Sequence, residues 1–209
     1  MIRHKIFFNF EKEEKWLEDM ALQGFHLVKV GSFSGYYFIP QKPEKSIIRI
    51  DYREFNKKND FIEYCNLFKD SGWTHLAGTR YSGNQYFKKT GKTSSDEIFS
   101  DSFSKAGRYK RLVNMWLSTS CVILLLWFPS LSAPGVINKS AFINPKELYY
   151  TPDLWERSGS AFWFSFLFET PFALARGYFW LLPIGIFLLF LGLTVKYWLL
   201  YKSARKNNL

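Results

Sequence analysis

Residues 112–131 read LVNMWLSTSCVILLLWFPSL, and they open a run of twenty-seven residues, Leu112 to Asn138, without one charged side chain. Lipid offers the backbone no partners, so a chain crosses it as a helix of about 20 mostly apolar residues. This run is long enough. A second charge-free run, GYFWLLPIGIFLLFLGLTV from Gly177 to Val195, is nineteen residues long and ends at Lys196, whose stem can snorkel. The two predict a transmembrane hairpin: helix one over 112–132, an extracytoplasmic loop over 133–176, helix two over 177–199 and a basic tail over 200–209. Pro129 and Pro134 mark the far end of the first helix.

The formal net charge of +10 is unevenly spread. Residues 1–100 carry 16 Lys/Arg against 13 acids, 101–111 four against one, and 178–209 four against none. Most of the excess therefore flanks the apolar runs, where anionic headgroups and the positive-inside rule account for it, and no nucleic acid is expected as a partner. The same bias places both ends in the cytoplasm of a multi-pass membrane protein. A linker over 94–111 fits a basic amphipathic helix on the membrane surface, with Ser94 and Glu97 as a capping box and Arg108, Lys110 and Arg111 among the headgroups. Between the spans, Ser158 to Phe168 is apolar but only eleven residues long, which suits an interfacial segment. An alternative makes 161–175 a third span and buries Glu169 in the membrane, where a carboxylate would signal function.

Residues 1–93 are polar enough, and long enough, for one soluble core. KIFFNF, Lys5 to Phe10, suits a strand, and a helix from Glu11 to Gln23 follows, with Trp16, Leu17, Met20 and Ala21 on one stripe and Gly24 to end it. Phe25 to Val30 and Tyr36 to Ile39 read as two more strands. The order then recurs. SIIRIDYR, Ser46 to Arg53, alternates with period two; Asp60 to Asp70 carries Phe61, Tyr64, Cys65 and Phe68 at helical spacing; Gly72-Trp73 repeats Gly24-Phe25 forty-eight residues on. Gln85-Tyr86-Phe87 repeats Tyr36-Tyr37-Phe38 at an offset of forty-nine. The fold class predicted is α+β: a duplicated β-α-β-β domain, one mostly antiparallel sheet with both helices on one face, followed by the two-helix hairpin.

If Ile48, Ile50 and Tyr52 face the helices, then Arg49, Asp51 and Arg53 share the other face. Two guanidinium forks held by the intervening carboxylate suit an anionic ligand or partner protein, and these three are the candidate binding residues. An ordinary solvated face has the same pattern, so both readings stand.

The runs FFNFEKEEKWLEDMALQGFHLVKV, IIRIDYR, YCNLFKDSGWTHL and QYFKK, over roughly residues 4–90, resemble the domain of unknown function 2812 family of bacterial membrane proteins. The resemblance implies a Gram-positive source, a cytoplasmic α+β domain and a C-terminal membrane anchor. It also implies a regulatory or sensing role, because such proteins are thought of as neighbours of PadR-like regulators; it brings no catalytic residues.

The residues themselves offer no catalytic constellation. His4, His26 and His75 lie at no metal-ligand spacing from one another or from Cys65 and Cys121. There is no nucleophile elbow and no glycine-rich phosphate or dinucleotide loop, so no catalytic residue, metal or cofactor is named. Cys65 sits on an apolar stripe as a core thiol, and Glu13/Glu14 and Glu18/Asp19 read as solvated charge. The expectation is a membrane-anchored, non-catalytic regulatory or sensing protein that touches the bilayer and a partner protein, a second copy or a small ligand. Two alternatives remain: an accessory subunit of a transporter or envelope complex, with Pro183, Gly185 and Gly192 for helix packing, and an enzyme on a lipid-borne substrate.

Overall fold

The computed structural model describes residues 1–31, 35–91, 95–131 and 140–206. It divides into two compact units, Met1–Leu112 with Trp198 onward, and Val113–Tyr197.

The first unit holds the duplication. Repeat one is β1 (Ile2–His4), α1 (Phe10–Leu22), β2 (Phe25–Val30) and β3 (Gly35–Pro40); repeat two is β4 (Ile48–Tyr52), α2 (Lys58–Asp70), β5 (Trp73–Ala77) and β6 (Asn84–Lys89). The fold is α+β as the pattern predicts, and the repeats share topology in detail. Both sheets are antiparallel, with orders β1-β3-β2 and β4-β6-β5. Each has a bulge at the matching place, Leu27/Lys29 and His75/Ala77. Each helix ends at a glycine in the left-handed region, Gly24 at φ 83° and Gly72 at φ 82°.

Six strands thus form two three-stranded sheets where the sequence reading has one sheet. The position of α1 gives the reason. Its Trp16 packs edge-on against Tyr36 of the first sheet, with ring centroids 4.9 Å apart, and its Glu13 is met by the Tyr86 hydroxyl of the second. One helix therefore serves both sheets. α2 covers the other face of the second sheet, where Phe55, Tyr64, Trp73 and Phe87 form a core cluster with Phe61, Cys65 and Phe68 packed on it. β4 is left with no open face.

Local boundaries differ from the sequence reading where a cap outweighs a pattern. Asn9 accepts from the Lys12 amide at 3.0 Å and starts α1 at Phe10, so the first strand lies at Ile2–His4 and not over Lys5–Phe10. Asp101 does the same for α3, its Oδ1 accepting from the Ser104 amide at 2.6 Å, so α3 runs unbroken from Ser102 to Leu131. The Ser94 cap and the Pro134 stop lie outside the described residues.

After α3, α4 (Ser140–Ile143) and two short 3-10 turns precede α5 (Gly159–Tyr178) in the second unit, and α6 (Leu181–Lys206) runs in that unit as far as Tyr197. α5 is a 20-residue helix, longer than its eleven-residue apolar core suggests, and it absorbs Gly177 and Tyr178 from the predicted second span. Glu169 accepts from the Tyr150 amide at 2.8 Å, from the Thr151 hydroxyl and from Arg176 at 2.5 Å, so this carboxylate is paired. Among the described residues two helices, over Ser102–Pro129 and Leu181–Lys206, are long and apolar enough to cross a membrane. Only 11% of each apolar window is buried within the protein, the reverse of a soluble core helix. Side chains meet across this pair where Trp116 lies 4.9 Å from Phe190.

Candidate functional site

β4 pairs with β6 along one edge only, and an open strand edge is a row of unpaired amides and carbonyls. Here charged side chains fill the row. The Ile48 amide donates to Glu18 at 3.1 Å and the Ile50 amide to Glu14 at 3.0 Å. The Ile48 carbonyl accepts from Arg49 at 2.8 Å, the Ile50 carbonyl from Arg108 at 2.7 Å, and the Tyr52 carbonyl from Arg111. The Tyr52 amide is held by the neighbouring Asp51 carboxylate at 2.8 Å. Two carboxylates of α1 and two guanidiniums from the root of α3 therefore do what a seventh strand would do.

Arg108 is the centre of this cluster. It is 0% exposed, and its fork reaches Glu14 and Glu11 at 2.7 Å each in addition to the Ile50 carbonyl. Burial works against its charge, but Glu14 and Glu11 hold the guanidinium ionised. Burial likewise raises the Glu14 carboxyl, with Arg108 opposing it. On Glu11 the balance is reversed: burial is outweighed by the Tyr109 hydroxyl, at 2.5 Å, and by Arg108, so its carboxyl is lowered.

The three sequence-predicted site residues are not displayed together. Asp51 is 4% exposed and is tied down by Tyr64 at 2.8 Å and Arg111 at 2.5 Å. Arg49 pairs with Glu18 at 2.7 Å and lies 3.6 Å from Glu97. The Arg53 guanidinium stands 5.6 Å and 5.5 Å from the ring centroids of Phe55 and Tyr64. The period-two pattern places them on one face correctly, but α2 and α3 cover that face. Arg108 and Arg111, which the sequence reading has among the headgroups, bond carboxylates and strand carbonyls of the N-terminal unit. A signal for this existed: Glu11, Glu14 and Glu18 recur at i, i+3 and i+7 as one acidic row along α1, which a purely solvated cluster does not require.

Beside this cluster lies a carboxylate that forms no ion pair among the described residues. Glu13 is 3% exposed, and its Oε1 accepts from the Tyr36 and Tyr86 hydroxyls at 2.7 Å each. Burial raises its pKa above the ordinary 4.5, the two hydroxyls opposing. The native protein thus holds this proton more tightly than the unfolded chain, so ionisation at neutral pH weakens folding, and the penalty disappears as pH falls through the raised value. Glu13→Gln, which keeps an acceptor for both tyrosines, is therefore expected to raise the melting temperature at pH 7.5 and to lose that advantage near pH 4.5, read by thermal denaturation. An advantage that grows on acidification would refute the assignment. Among the described residues no three His, Cys, Asp or Glu side chains group as metal ligands.

The family described as Protein of unknown function (DUF2812) matches residues 9–121, more than half of the 209. No curated protein and no solved structure matches.

Proposed function

The chain belongs to the DUF2812 family of proteins of unknown function, and on that premise we propose that it is a membrane-anchored, non-catalytic regulatory or sensing protein whose N-terminal domain binds a partner protein or a small ligand. The observation that carries this reading is Arg108. A tether would need only a polar linker, yet the first turns of the first apolar helix are built into the domain through Arg108, Tyr109 and Arg111. The family match runs through the same junction, to residue 121. A change at the Glu14/Asp51 edge therefore acts directly on the root of α3, which is how a binding event is passed to a membrane helix.

In this reading α3 and α6 cross the membrane as a hairpin with the domain and tail in the cytoplasm, as the Lys and Arg around them favour. On intact cells a membrane-impermeant maleimide should leave Cys65 unlabelled, and a reporter fused after Leu209 should be active only if it is a cytoplasmic one. A surface-active tail would replace the hairpin with a three-span arrangement.

Affinity capture of the full chain from detergent, set beside a fragment of residues 1–112, tests the binding role. Recovery of the same partner by both supports it. Recovery by the full chain alone would move the function to the membrane helices, an accessory role favoured by the open space beside Gly185 and Gly192 on α6.

A further inference from the structure

The helices of the two repeats align with an offset of forty-eight residues, which puts Glu13 of α1 at the place of Phe61 of α2. Phe61 does what the scaffold asks of that position, packing 5.4 Å from Phe55 and 5.6 Å from His75, ring centroid to centroid. Repeat one uses a carboxylate instead, met by two neutral hydroxyls. The nearby guanidinium of Arg108 is committed to Glu14, Glu11 and the Ile50 carbonyl. A buried carboxylate without a cation is costly, and the second repeat shows that the fold does not need one there.

Glu13 lines a cleft of ≈ 760 Å³ bordered by residues of β2, β3 and β6 and of the segment between β5 and β6, within the range of small-molecule sites. Its charges are layered. Glu13 with the buried rings of Tyr36 and Tyr86 makes the floor, and the exposed rings of Tyr37 and Tyr81 stand in the wall. Lys29 lines the cleft with its Nζ 5.9 Å from the Tyr37 ring centroid, and the guanidinium of neighbouring Arg80 stands 4.3 Å from that of Tyr81.

We infer that this cleft binds a small amphoteric organic molecule, its ammonium group on Glu13 among the tyrosine rings and its anionic end at Lys29. An ammonium supplies the counter-charge that Glu13 lacks, and aromatic faces favour a cation in a desolvated site. A purely anionic ligand meets Glu13 at the floor, and a purely cationic one has nothing to offer Lys29. This inference rests on the reading of the domain as a binding module and names the class of its ligand.

The test uses the full chain in detergent and three matched probes, L-phenylalanine, phenethylammonium and 3-phenylpropanoate, titrated by calorimetry. L-Phenylalanine should bind most tightly, phenethylammonium about tenfold more weakly, and 3-phenylpropanoate not measurably, since one lost charged contact is worth about a factor of ten or more. Glu13→Gln should weaken L-phenylalanine by more than about tenfold while still melting cooperatively, and Lys29→Gln should bring L-phenylalanine down to the level of phenethylammonium. Unchanged binding in Glu13→Gln, or no binding of either ammonium probe to the wild type, overturns the assignment. If that happens while residues 1–112 still recover a protein partner, the cleft assignment falls and the binding role stands; if partner recovery fails as well, both fall.

Discussion

Arg108→Ala is expected to destabilise the N-terminal domain by about 3–5 kcal/mol, the cost of stranding a buried charge. An exposed ion pair contributes about 0–1 kcal/mol, because water and salt screen it. Lys88 with Glu44, at 2.8 Å on the surface, is such a pair and serves as the internal control. Arg108 differs in three respects: it has no exposed surface, it satisfies a backbone carbonyl as well as two carboxylates, and it leaves Glu14 buried when removed. Arg108→Lys keeps the charge but loses the fork, so its cost should fall between those of alanine and wild type. A double-mutant cycle with Glu14→Ala should show coupling of at least about 1 kcal/mol, since each single change strands the other group. The same reasoning sets the domain boundary. A fragment of residues 1–112 keeps Arg108 and Arg111 and should unfold cooperatively, whereas one ending at residue 93 removes both and should be weaker by a similar amount. A cost below about 1 kcal/mol for Arg108→Ala, measured by urea denaturation, would reduce the cluster to a surface network.

What the sequence discloses here is local, and what it conceals is long-range. Gly24 and Gly72, the two helical stripes and the SIIRIDYR alternation are set by neighbours within a few residues, so the duplication and the α+β class are legible from them. Arg108 and Glu14 stand ninety-four positions apart, and no periodicity links them. Beside an apolar run of twenty-seven residues, three basic side chains look like an interfacial anchor, which is the commoner arrangement. The alternation likewise tells which residues share a face of β4 but not what covers that face. Asp51 becomes buried because Tyr64 and Arg111 arrive from two other helices. Asn9 was legible in principle, since a short polar acceptor ahead of an acidic first turn is a cap signal that competes with an aromatic strand pattern. Glu13 was hidden in a different way: a charged residue in a run of charges carries no sign of burial until the tyrosines that hold it come from two separate strands.

Trp73→Ala should cost about 3–5 kcal/mol, and Trp16→Ala distinctly less, about 1–2.5 kcal/mol, although both tryptophans belong to equivalent repeats. Trp73 begins β5 immediately after the left-handed Gly72 and is 2% exposed in a cluster with Phe55, Tyr64 and Phe87. Cutting it to a methyl group leaves a cavity walled by rigid rings that cannot close on it, and that cavity adds to the lost transfer energy. Trp16 is only half-buried on α1, packed 5.3 Å from Phe7 and 5.7 Å from Phe38, ring centroid to centroid, with the Lys5 Nζ 5.1 Å from its ring centroid. Part of its indole is already in water, and Phe7 lies in an irregular segment that can settle into the gap. The forty-eight-residue offset matches Trp16 with Tyr64 and Trp73 with Phe25, so the two repeats place their largest ring at different levels of the same scaffold. Against a usual domain stability of about 5–15 kcal/mol, Trp73→Ala removes a large fraction and should lower the urea midpoint with little change in slope. Equal costs at the two positions would mean that the repeats bury their aromatic residues alike, contrary to the cleft that Glu13 of α1 lines with Tyr36 and Tyr86, which keeps the first repeat open on that side.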